Sequence, residues 1–140
     1  MMYDNQKAKV RQMLVNDEGY RQFPYKCTAG KLSIGIGRNL QDRGISKDEA
    51  YFLLNTDIDY FAEFLEQKLP FFNELTENRQ NVLINMCFNL GTTGFMKFRK
   101  MLEHVKNHDY EKAVLEMRRS KWVSQVPNRA KRLCDMMLEG

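Results

Sequence analysis

Apolar residues recur at helical spacing along most of the chain. Tyr3, Val10, Met13 and Leu14 share one face and predict a first helix running to about Asn16. The period then changes, with Leu32, Ile34 and Ile36 alternating with Ser33, Gly35 and Gly37, as in a strand. Thr28-Ala29-Gly30 ahead of it supplies a turn, so a small hairpin sheet is expected here. Ser46-Lys47-Asp48-Glu49 has the form of a capping box, in which hydroxyl and carboxylate each satisfy a free N–H at a helix start. Ala50, Leu54, Ile58, Phe61 and Leu65 continue it as a stripe that ends before Pro70. A short helix around 71–75 comes next. Seven of the nine residues at 82–90 are apolar, the pattern of a core helix covered on nearly every side, and Gly91 stops it. Phe95, Phe98, Leu102 and Val105 mark another helix, Tyr110, Ala113, Val114 and Met117 a further one, and Pro127 opens the last. The layout is α+β, mostly helical, with segregated strands near the front and no repeat or linker.

Composition narrows this to one soluble domain. The 140 residues are 43% apolar and 29% charged. No apolar run approaches the ~20 residues of a membrane span. Met1-Met2-Tyr3-Asp4-Asn5-Gln6-Lys7 lacks the apolar core of a signal peptide, so none is expected. Three cysteines, an odd number without CxxC spacing, argue against a disulfide framework or a zinc site and for a reducing compartment. The net charge of +4 hides an asymmetry: residues 46–77 carry eight acids against two bases, and 118–132 carry six bases and no acid. These stretches fit two solvated helix faces, and equally a positive face that meets an anionic polymer.

Few residues suggest chemistry by themselves. His104 and His108 have i, i+4 spacing, but no HExxH motif accompanies them and no third ligand is evident. Cys27 has no local partner that marks a nucleophile. Gly35-x-Gly37 lacks the third glycine and the following helix of a dinucleotide loop. Gly35 and Gly37 on one strand face fit a tight sheet corner, or a wall open to close approach by a ligand or another segment. If the Leu32/Ile34/Ile36 side is buried, Ser33 points into that wall. Glu18, just after a helix and before Gly19, fits a surface carboxylate or one overlooking a cleft.

Asn16-Asp17-Glu18-Gly19-Tyr20-Arg21, then Tyr25 and Ser33-Ile34-Gly35-Ile36-Gly37, resemble the front of phage-type lysozymes, the muramidase endolysins of glycoside hydrolase family 24. That family carries a Glu, eight residues, an Asp or Cys, five residues and a Thr; Glu18, Cys27 and Ser33 have this spacing. Arg79-Gln80, Ile84-Asn85-Met86-Cys87-Phe88-Asn89-Leu90-Gly91, Ser120-Lys121-Trp122 and the stretch from Gln125 to Arg132 extend the resemblance over nearly the whole chain. It implies a single lysozyme-like domain with a small sheet-containing lobe at about 18–57 and a helical lobe from about 1–16 and 58–140. The short segment between Arg38 and Ser46 implies a trimmed sheet lobe.

The implied activity is hydrolysis of the β-1,4 bond between N-acetylmuramic acid and N-acetylglucosamine in peptidoglycan, with inversion and without cofactor or metal. Glu18 would be the general acid, with Cys27 and Ser33 holding the attacking water. Phe88 and Asn89 would contact the saccharide, Asn89 also meeting Trp122. Arg129 would pair with Glu18, and Arg38, where many relatives carry His, is expected to pair with Asp57. Cys27 stands where Asp is commoner, and a neutral thiol accepts hydrogen bonds less well than a carboxylate. Ser33 stands where the family has Thr and lacks the methyl that restricts its rotamer. The resemblance also implies a monomer held in the host cytoplasm until a holin-like membrane protein opens the way to the wall, with no nucleic-acid partner and no membrane insertion. The rival expectations are a peptidoglycan-binding relative weakened at Cys27 and Ser33, and a basic helical nucleic-acid binder using 118–132.

Overall fold

The structure is a computed structural model that describes residues 3–140; residues 1 and 2, part of the expected helical lobe, lie outside them. Two compact units divide the chain, Met1–Tyr51 and Phe52–Gly140.

In the first unit, α1 (Asp4–Glu18) is closed by Gly19, whose N–H bonds to the Val15 carbonyl at 2.9 Å. The helix therefore takes in Asp17 and Glu18, beyond the end expected at Asn16. Its apolar face is not a core face: no side chain of α1 is buried, and Met13 and Leu14 are exposed. Strands β1 (Arg21–Lys26), β2 (Leu32–Gly35) and β3 (Arg38–Asn39) form one antiparallel sheet in that order. Pro24 is tolerated because β1 is an edge strand, and the pairing shifts between Arg21 and Tyr25. The first hairpin closes through Gly30 N–H to Cys27 O and Cys27 N–H to Lys31 O, at 2.8 and 2.9 Å. The second turns through Gly35, Ile36 and Gly37, between the paired residues Ile34 and Arg38.

The small antiparallel sheet is present as expected, and two of its features go beyond the sequence pattern. A third strand joins the hairpin, too short to show a period. The Leu/Ile side is also not the buried one: Leu32 and Ile36 are exposed, whereas Ser33 is buried, and its hydroxyl donates to Lys31 O at 3.2 Å. Asn39 then caps the single-turn α2 (Leu40–Arg43) by accepting from Asp42 N–H at 3.0 Å.

The capping box forms as expected at the start of α3 (Lys47–Lys68). Glu49 N–H donates to the Ser46 hydroxyl at 3.1 Å, and Ser46 N–H to the Glu49 carboxylate at 2.8 Å. That carboxylate also takes Arg38, which donates through both terminal nitrogens (Nη1 at 2.9 Å) and additionally to Gly44 O at 3.2 Å. Arg38 therefore pairs with Glu49 and not with Asp57. The reason is reach, because Asp57 lies eight residues further along the same helix, about 12 Å of helical rise.

In the second unit every buried apolar residue lies between Leu65 and Met137. Of the α3 stripe only Leu65 is buried; Ala50, Leu54 and Ile58 are exposed. A short 3₁₀ turn, Phe72–Glu74, leads to α4 (Glu77–Met96), capped by Thr76. Val82, Leu83, Met86 and Cys87 on α4 are buried, but Asn81, Asn85, Phe88 and Asn89 are exposed, so this helix is covered on one side and not all round. Gly91 breaks the helical backbone at the expected place (φ 78°, ψ 163°), after which the chain resumes helix to Met96. Phe95 therefore belongs to α4 and not to the next helix. The remaining helices are α5 (Arg99–Lys106), α6 (Tyr110–Arg119), the short α7 (Lys121–Gln125) and α8 (Pro127–Glu139), the last opened by Pro127. His108 lies beyond α5 in a left-handed conformation, bonded to the Tyr110 hydroxyl at 3.0 Å, so it does not share a helix face with His104. Among the described residues no helix is long and apolar enough to cross a membrane.

Candidate active site

In the first unit Glu18 is the last residue of α1 and exposed. Its carboxyl group lies against the backbone of Gly37, so close that a Cβ there would be 2.9 Å from its Cγ, Cδ and Oε2. Both roles open to these glycines are present: Gly35 and Gly37 make the tight corner of the second hairpin, and Gly37 also allows close approach by another segment, the end of α1.

The first hairpin brings Cys27 and Ser33 together. Cys27 ends the β1 arm and is half-buried; Ser33, on the central strand, is the one buried polar side chain among the described residues. The backbone N–H groups of Lys31 and then Ala29, with a smaller contribution from the Ser33 hydroxyl, hold the Cys27 thiol below its usual range against the opposing effect of burial. The other cysteines behave oppositely, since burial pushes Cys87 up to about 11 and raises Cys134. Cys27 is thus the thiol most disposed to act as a thiolate.

In the second unit an open pocket of about 370 Å³ is lined by Leu54, Ile58, Asn81, Ile84, Asn85, Phe88 and Arg129. Phe88 packs edge-on against Phe61, with ring centres 5.6 Å apart, which fixes one aromatic wall. Arg129 is half-buried, and no carboxylate of its own unit pairs with it among the described residues. Asn89, next to Phe88, accepts a hydrogen bond from the buried Trp122 indole at 2.8 Å. That bond sets the amide orientation and leaves its NH₂ group free to donate. The expected meeting of Asn89 and Trp122 is therefore present.

Asn81, Asn85 and the leucine and isoleucines of the pocket were not expected from the sequence as its lining. The available signal was a line of asparagines, 81, 85 and 89, spaced four apart along this helix. The basic stretch 118–132 is divided over α6, α7 and α8. Arg119 pairs with Glu116 and Lys131 with Asp135, while Arg129 turns to the pocket.

The phage lysozyme family model matches residues 15–135. The chain is 26% identical to "Probable T4-type lysozyme 2" of Dictyostelium discoideum, with 95% of each chain aligned. It is 29% identical to an endolysin of Acyrthosiphon pisum secondary endosymbiont phage 1, over 86% of this chain and 80% of that one. It is also 28% identical to the pre-baseplate central spike protein Gp5 of Enterobacteria phage T4, where 98% of this chain aligns with 29% of the relative. An α+β chain with a small antiparallel sheet and a helical body, matched over this span, belongs to the phage lysozyme family.

Proposed function

We propose that the chain is a muramidase that hydrolyses the β-1,4 bond between N-acetylmuramic acid and N-acetylglucosamine in peptidoglycan. The observation that carries this reading is the pairing of a buried hydroxyl, Ser33, with the Cys27 thiol, which backbone N–H groups hold below its ordinary range, in the unit that also holds Glu18. Glu18 donates its proton to the glycosidic oxygen as the bond from that oxygen to the muramic C1 breaks. A water held by Cys27 and Ser33 attacks C1 from the opposite face, giving inversion, and passes its proton to solvent. A thiol shifted toward its ionised form accepts that hydrogen bond better than a neutral one. Phe88 and Asn89 hold the sugar, one by its ring face and one by its free amide.

In the cell this is the activity of an endolysin, acting on glycan strands as a monomer without a cofactor. It accumulates in the cytoplasm and reaches the wall once a holin-like membrane protein acts. The test is loss of turbidity of chloroform-treated Gram-negative cells, with reducing-sugar release measured in parallel. Glu18→Gln should reduce the rate by about 10²-fold or more, since a positioned acid contributes about 10²–10⁴-fold. A variant that keeps more than about a tenth of the rate removes Glu18 from the acid's role. Release of the α-anomer, seen by proton NMR, is the expected stereochemical result.

A further inference from the structure

We infer that Gly37 is a positioning residue for Glu18: the missing side chain at this turn gives the carboxyl group its place. The inference rests on the reading of Glu18 as general acid and adds the part of the sheet that seats it.

A Cβ at position 37 would meet Cγ, Cδ and Oε2 of Glu18 all at 2.9 Å, nearer than Cβ atoms approach other heavy atoms. Because the carboxyl plane and the carbon before it are both involved, a small rotation of one atom does not relieve the clash. The turn is tied down, since Ile34 pairs with Arg38, and Arg38 is held by Glu49 and by Gly44 O. The end of α1 is closed by its own bond from Gly19 to Val15. With both sides fixed, a side chain at 37 drives the exposed Glu18 away from its seat into solvent. Proton transfer requires heavy atoms at about 2.6–3.2 Å. A misplacement of about 1 Å can cost on the order of 10²-fold in rate.

Gly35 provides the internal control. Its φ is 70° against 68° for Gly37, so alanine is strained similarly at either position, but a Cβ at 35 meets nothing within 4 Å. The experiment compares Gly37→Ala with Gly35→Ala in the full chain, measuring kcat and KM on soluble peptidoglycan fragments and Tm in the wild-type and Glu18→Ala backgrounds. Gly37→Ala is expected to lower kcat by about 10²-fold with KM within about twofold, and at least about tenfold more than Gly35→Ala does. Its Tm loss is expected to match that of Gly35→Ala in both backgrounds, because the clash is relieved by swinging out the far end of an exposed, flexible side chain. Where Gly37→Ala does not fold, Gly37→Asn carries the same Cβ on a residue that tolerates left-handed backbone, and the same loss of kcat is expected. Equal losses of kcat for the two alanines, with Glu18→Gln inactive, overturn the positioning role alone. A Glu18→Gln enzyme that keeps its rate overturns the acid assignment and the positioning role with it.

Discussion

Cys27 shows how far a single residue's chemistry depends on neighbours that its type does not reveal. Its thiol is lowered by the amides of Lys31 and Ala29, which the hairpin turn aims at the sulfur, whereas Cys87 and Cys134 are raised by burial in the helical unit. Alkylation by iodoacetamide should therefore modify Cys27 alone in the native protein. Its rate should reach half its maximum below pH 9.0, the ordinary value of a thiol. Peptide mass spectrometry across a pH series checks this, and equal labelling of all three cysteines would contradict it. The sequence spacing of Glu18, Cys27 and Ser33 was legible, as was the pair of glycines at 35 and 37, but not that Gly37 rather than Gly35 meets Glu18. What could not be read was the direction in which Ser33 faces, because strand alternation separates two sides without saying which is covered.

At the scale of elements, the joint between β3 and α3 rests on the Arg38–Glu49 pair. Arg38 is the main cause that brings the Glu49 carboxyl down to about 2, with Ser46 adding to it. A folded-state value below the ordinary 4.5 means that this stabilisation is complete above about pH 4.5 and is lost as pH falls toward 2. Glu49→Gln keeps an acceptor for Ser46 N–H and removes only the charge. Wild-type protein should exceed this variant in urea midpoint at pH 5, and the gap should close by about pH 2. A gap that stays constant over that range would show that the pair's charge does not contribute. The capping box, Pro127 and the break at Gly91 were readable because each is a local device. The strand Arg38–Asn39 and the single turn Leu40–Arg43 were not, since two- and four-residue elements have no period to detect. The choice of Glu49 over Asp57 was likewise invisible until β3 had a place.

Over the whole molecule, burial is unevenly distributed. The buried apolar residues all lie between Leu65 and Met137, and Ser33 is the only buried residue of the first unit among those described. Local stability follows buried apolar contact, so amide protection should follow the same division. Hydrogen exchange by mass spectrometry is expected to find the slowest amides in α4 and α8 and to find α1 and the sheet opening faster. Equal protection in the two units would argue against this. The sequence pattern placed apolar stripes in both halves of the chain, but a stripe records only that one side is greasy, and what lies over it is decided by the fold.

The bond between Trp122 and Asn89 has a practical consequence. The chain contains one tryptophan, and its indole nitrogen lies 2.8 Å from the amide assigned to the sugar. The tryptophan emission of the protein therefore originates at one place, one hydrogen bond from the proposed saccharide contact. A glycan bound at the proposed contact should therefore be read from this emission, with no dye or label attached.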